Sequence, residues 1–135
     1  REMPDSTRTA TEAAAAVGCH LDQIAKSIIF ADVTHGDAVL FITAGGNRVD
    51  AYKASALAEA ELGRADANQV RAQTGFAIGG VSPIGHLTPI RAWIDPRLFD
   101  FATVWPAAGT PRHVFEIAPA VLERLSGAVR ADFTA

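Results

Sequence analysis

Cysteine and lysine are both scarce in this chain. Cys19 has no second cysteine to pair with, so an intramolecular disulfide framework is excluded and a reducing compartment, the cytoplasm, is expected. His20, His35, His86 and His113 are dispersed, with no HExxH or CxxC spacing, so neither a metal nor another cofactor is expected. No serine lies in a nucleophile-elbow pattern, which leaves a Ser-His-Asp hydrolase without support. No apolar run approaches the roughly 18 residues of a membrane span, and the alanine patch Ala13 to Ala16 is too short for a signal peptide. The net charge of -3, from 12 basic and 15 acidic residues, argues against a broad basic face for nucleic acid. It leaves room for an enzyme that holds one end of an RNA through a few contacts. Tandem repeats, low-complexity tracts and internal linkers are all missing, so a single domain over residues 1–135 is expected. The chain opens at Arg1 rather than methionine, which fits a short N-terminal segment being absent.

What is present describes a compact α/β chain. Hydrophobic residues make up 49% and charged residues 20%, enough to build one core and too apolar for disorder. Thr9 and Glu12 form a capping-box pattern for a helix to Val17, with Gly18 as its stop. His20 to Gln23 reads as a connector. Ile24 to Val33 and Ala38 to Thr43 read as strands around a turn at Thr34-His35-Gly36-Asp37. Asp50 can cap a helix to about Leu62 with Tyr52, Leu57 and Ala60 inward, and Gly63-Arg64 reads as another stop. Asp66 can cap a third helix ending at Thr74-Gly75. Ile90 to Ile94 is a strand, Asp95-Pro96 opens a helical turn, and Phe101 to Trp105 is another strand. His113 to Ile117 is extended, Pro119 to Leu125 a short helix, and Ala128 to Phe133 a final strand. Strands and helices intersperse without strict βαβ alternation, which predicts a mixed α+β sheet with helices packed on it.

Two features carry chemistry. Lys26 is one of two lysines, the other being Lys53, and it sits inside an apolar strand on the face of Ile24 and Ile28. An inward face requires its ammonium to reach a polar cleft; an edge strand would leave it as one solvated lysine. The other feature is Gly75 to His86, with four glycines, Ser82, Pro83 and His86 in twelve residues. Such a loop lets main chain approach a ligand and can form an anion-binding nest, or it is simply a turn. It has neither the Walker lysine-serine pair nor a helix opening directly after it. His86 and His113 follow glycine-containing loops, where binding residues are commonly placed, though either also reads as a surface histidine. Cys19 reads as a small buried residue or as a nucleophile.

These blocks together resemble the YbaK/EbsC-like family of aminoacyl-tRNA deacylases, related to the editing domain of bacterial prolyl-tRNA synthetases. The resemblance runs from about Thr7 to the C-terminus. It rests on Ile24-Ala25-Lys26-Ser27-Ile28-Ile29-Phe30, on Gly79-Gly80-Val81-Ser82-Pro83 within Gly75 to His86, and on Ala108-Gly109-Thr110-Pro111-Arg112-His113. It implies a mixed, mainly antiparallel sheet with packed helices, and hydrolysis of a mischarged small amino acid, such as Cys, Ala or Ser, from tRNA, with tRNA for proline expected. Lys26 would be the catalytic residue, holding the terminal adenosine and stabilising charge at the ester. Gly79, Gly80, Val81, Ser82, Pro83, Gly85, His86, Gly109 and His113 would bind substrate. The acidic net charge implies weak tRNA affinity without help from prolyl-tRNA synthetase or an elongation factor. Glu116 matches an acidic position of some relatives but equally fits a solvated surface. Competing readings are a non-catalytic module binding a tRNA end or nucleotide, and an enzyme using Lys26 as a Schiff-base or general-base group.

Overall fold

The computed structural model describes residues 9–76, 81–86, 90–108 and 113–135. Its frame is the hairpin of β1 (Ile24–Asp32) and β2 (Ala38–Ala44), antiparallel from Ala25↔Ala44 to Ala31↔Ala38. On the far side of β2 runs β4 (Arg91–Ile94), parallel to it, followed by β6 (Val129–Arg130), parallel to β4. Two short strands pair with β1: β3 (Leu62–Arg64), antiparallel, and β5 (Trp105–Pro106), parallel. The sheet is therefore mixed, with antiparallel pairing along its longest ladder, and the α+β class holds.

Side chains alternate between the two faces. Ala25, Leu40, Ile42, Ala44, Ala92 and Ile94 share one face, closed by Leu98, Val104 and Leu122 of α4 (Pro119–Ser126). Ile28, Phe30, Val39, Phe41 and Trp93 share the other, closed by Ala54 and Ala58 of α2 (Ala51–Ala58) and by Phe133. Phe41 stacks on Trp93 and meets Phe133 edge-on, both with centroids 5.0 Å apart. Cover on both faces explains why every residue of β2 is buried and why it reads as a continuous apolar run. At the Ile24 end, α1 (Ala10–Val17) lays Ala13 and Ala14 over the sheet. Thr9 caps it as expected: its hydroxyl oxygen accepts from the Glu12 N–H at 3.1 Å. Along β1 toward β3, α3 (Ala67–Thr74) places Val70 beside Ala31 and Ala65, with Asp66 as its cap.

Five expectations need correction. The second helix ends at Ala58, because Glu59 turns into left-handed backbone at φ 53°. The following Leu62-Gly63-Arg64, expected as helix end and stop, is instead strand β3. Tyr52 points outward at 89% exposure, while Ala54 and Ala58 carry the packing. Phe101 to Trp105 contributes only Trp105 to a strand, since Pro96–Asp100 winds as a 3-10 helix capped by Asp95 and delays the extended segment. The final strand shortens to two residues, and Phe133 packs under β2 rather than continuing it.

Two local constraints yield tests. The turn before α2 passes so close to the first connector that a Cβ on Gly45 would fall on the Leu21 carbonyl oxygen and lie 3.1 Å from Ala10 Cβ. Gly45→Ala should lower unfolding free energy by about 1–3 kcal/mol, as overpacking does, measured by urea denaturation. An unchanged midpoint would contradict that close approach. At the other end of β1, Asp32 is buried. Its Oδ1 accepts from the Thr34 and His35 N–H groups at 2.9 and 3.1 Å, and Oδ2 lies 2.7 Å from His35 Nδ1 and 3.6 Å from the Arg91 guanidinium. Burial pushes the carboxyl upward, but His35 and the turn amides outweigh it and hold the group below its ordinary value. The folded value is below the unfolded one, so the stabilisation is present above pH ~4 and is lost as pH falls through the folded value. Asp32→Asn should flatten the acid limb of the stability profile. Coincident acid limbs in both proteins would contradict the assignment.

Candidate active site

Lys26 lies on β1 between Ile24, covered by α1, and Ile28, covered by α2. It is half-buried, and its Nζ donates to the Gly45 carbonyl at 3.2 Å. Neither carboxylate that acts on it electrostatically is available as a close partner. Asp22 accepts from Arg97 Nε at 3.0 Å and the Gly46 N–H at 2.8 Å. Asp95 accepts from the Ala44 N–H, Asn47 Nδ2 and the Arg97 N–H. Burial lowers the Lys26 amine below the ordinary lysine value and Arg48 adds to the fall, while Asp22 and Asp95 partly restore it. This side chain is therefore a partly desolvated cation resting on a neutral oxygen.

The outer edge of β1 is built in two pieces. Because β2 occupies one edge, β3 and β5 must both lie along the other. There β3 pairs with Phe30 to Asp32 and β5 with Ile24 and Ala25, so residues 26–29 face no paired strand on that edge among the described residues. Main-chain direction alternates along a strand. The Asp32 N–H donates across the hairpin to Asp37, and the Val33 N–H donates to Glu61 on the β3 side. By that alternation the main-chain groups of Ser27 and Ile29 point toward the gap. A cavity of about 260 Å³ opens there, lined by Ser27, Ile28, Ile29, Arg64, Ala65, Val70 and Val81.

Of the expected loop residues, Val81 is brought to this cavity, while Ser82 and Pro83 follow it as buried residues. The Ser82 hydroxyl oxygen accepts from the Ile84 N–H at 3.3 Å, and the Ser82 carbonyl accepts from His86 Nε2 at 2.6 Å. The His86 ring meets Phe76 edge-on, and Gly85 takes left-handed backbone at φ 79°. His86 thus ties its own loop together. Gly79, Gly80 and Gly109 lie outside the described residues. His113 enters a short bridged segment in which its carbonyl accepts from the Ala108 N–H at 2.8 Å. Lys26 departs from the sheet face opposite Ser27, so the strand itself separates its ammonium from the cavity.

Other candidates resolve into structural duties. Cys19 packs against the cluster of Ala13, Ala14 and Ile24, and burial pushes its thiol up, the opposite of an activated thiolate. His20 caps the connector by accepting from the Asp22 N–H at 3.0 Å. Glu116 accepts from the exposed Thr103 hydroxyl at 2.8 Å. Sequence reasoning missed Ser27, Arg64, Ala65 and Val70. Ser27 alone carried a signal: a polar residue alternating with Ala25, Ile29 and Ala31 on an otherwise apolar strand face.

Comparison with known proteins agrees with this architecture. The profile of the aminoacyl-tRNA editing domain family matches residues 4–125. The uncharacterized protein YwhH of Bacillus subtilis (strain 168) is 34% identical over 126 residues, 93% of this chain and 79% of that protein. A crystal structure of a candidate trans-editing enzyme for prolyl-tRNA synthetase superposes with a TM-score of 0.93 at 47% identity, covering 100% of this chain and 85% of the other. The crystal structure of hypothetical protein APE2540 superposes with a TM-score of 0.88 at 30% identity, covering 100% and 89%. The sheet with its split edge, the half-buried lysine and the loop at Val81 are thus those of a chain that belongs to the aminoacyl-tRNA editing domain family.

Proposed function

We propose that the protein is a trans-acting deacylase that hydrolyses the ester of a mischarged small amino acid, such as Cys, Ala or Ser, on tRNA, with tRNA for proline as the carrier. The observation that carries this reading is the state of Lys26. A half-buried ammonium resting on the Gly45 carbonyl, with its neighbouring carboxylates engaged elsewhere, is poised to exchange that contact for developing negative charge. The next residue, Ser27, lines an edge cavity whose volume, about 260 Å³, falls below the ~300–1,000 Å³ of drug-sized sites. Family membership and the likeness to a candidate trans-editing enzyme for prolyl-tRNA synthetase support the choice of ester and carrier.

An aminoacyl ester is already activated, so positioning and electrostatics suffice without a protein nucleophile. Water adds to the acyl carbon, negative charge grows on the carbonyl oxygen, and the bond to the terminal ribose oxygen breaks. Free amino acid and a tRNA with its terminal hydroxyl restored are the products. Lys26 stabilises charge at the ester or the adjoining adenosine end, and the main chain around Val81 to Pro83 orients the acyl group. Gly79, Gly80, Gly85, His86, Gly109 and His113 complete the substrate-binding set in this reading. Prolyl-tRNA synthetase or an elongation factor would supply the tRNA affinity that a net charge of -3 does not.

Deacylation of a panel of mischarged tRNAs tests the proposal. The protein should release at least one small amino acid well above the buffer rate, and Lys26→Ala should lose about 10²–10³ in kcat, the scale of one oxyanion-stabilising donor. Binding without turnover of any ester would contradict the deacylase reading. Full activity in a folded Lys26→Ala protein would remove Lys26 from the chemistry.

A further inference from the structure

We propose that Ser27 is a specificity-determining residue: its hydroxyl reads a hydrogen-bonding side chain on a small amino acid lodged in the gap at the outer edge of β1. The inference rests on the deacylase reading and deepens it, since it names the contact that tells one small substrate from another.

Three observations converge on Ser27. Its Oγ is buried and has no hydrogen-bond partner among the described residues, the only such side-chain atom recorded among them. A buried hydroxyl without a partner costs stability, and native structures seldom leave one without a reason. Ser27 also lines the cavity of about 260 Å³ in the interval between β3 and β5. Finally, the residues around it offer little competition for that hydroxyl. Ile29, Ala65, Val70 and Val81 present apolar side chains, and Arg64 is exposed.

The consequence is a chemical preference. An apolar wall alone separates small amino acids by little, because one methylene changes binding by only ~1–3 kcal/mol. A hydroxyl set in that wall gains a bond when the ligand carries an –OH, and goes unsatisfied when the ligand carries only a methyl group. The occupant that satisfies Ser27 is a seryl group, with alanyl as the near-isosteric substrate that does not. Lys26, whose ammonium lies on the opposite face of the same strand, would act on the adjoining adenosine end that both substrates share. Adjacent residues of one strand thus divide the work, Lys26 toward holding the tRNA end and Ser27 toward selection.

The test is deacylation of seryl- and alanyl-tRNA for proline by the wild-type protein, Ser27→Ala and Ser27→Thr, reported as separate kcat/KM values. Wild type should favour the seryl ester, and Ser27→Ala should lower the seryl-to-alanyl ratio by about tenfold, the worth of one hydrogen bond. The loss should fall more heavily on the seryl ester than on the alanyl one. Ser27→Thr, which keeps the hydroxyl, should keep the ratio even if the added methyl lowers both rates. An unchanged ratio in Ser27→Ala overturns the inference. So does an equal loss on both esters, which would place the hydroxyl on the ammonium that both substrates share. Either result leaves the deacylase reading intact. No release of any amino acid by wild type overturns both.

Discussion

The edge of β1 is the constraint on which the rest of the site depends. A strand of nine residues is paired along one side by β2, but its other side is shared by two short strands that stop before they meet. The break lies at Lys26 to Ile29, near the middle of the strand. Among the described residues no strand fills this stretch, and an open strand edge normally invites aggregation. Here it is set between short strands and overlooked by Val70 and Val81, so it is a recess rather than an open ladder. The split follows from the chain's own punctuation. Glu59 ends α2 early enough to let Leu62 to Arg64 reach β1, and Pro106 supplies no N–H to extend a ladder of its own.

Rigidity around the gap comes from packing on both sides of the sheet. β2 is wholly buried, Phe41 is clasped by Trp93 and Phe133, and α4 closes the other face through Leu122. The polar cluster of Asp22, Arg97, Asp95 and Asn47 fixes the turn carrying Gly45 and Gly46. That turn supplies the carbonyl on which Lys26 rests. The catalytic proposal therefore depends on hydrogen bonds some distance from the cavity: they hold the neighbouring carboxylates away from Lys26 and leave the ammonium free to change partners.

Much of this was legible before the structure. The caps at Thr9, Asp50, Asp66 and Asp95 marked helix starts correctly, because each short side-chain acceptor satisfies a local N–H and needs no tertiary context. Lys26 stood out because lysine is rare here and its neighbours are apolar. Strand β3 was hidden because Gly63 and Arg64 resemble a helix stop, and three residues are too few for a periodic signal. Tyr52 was misplaced because small alanines at Ala54 and Ala58 can carry a helix–sheet contact that a large aromatic would block. Spacing marks Ser27 as the polar residue of an apolar strand face, but does not show what that residue lines. That depends on where two short strands stop, which long-range pairing decides.

One measurement tests the central claim directly: NMR titration of the protein with a non-hydrolysable adenosine analogue bearing a 3′-seryl amide. Occupation of the gap predicts saturable shifts at the Ser27 and Ile29 amides and the Val70 and Val81 methyls, with a further shift at Lys26. Shifts confined to the opposite face, around Ala54, Ala58 and Phe133, would contradict the account.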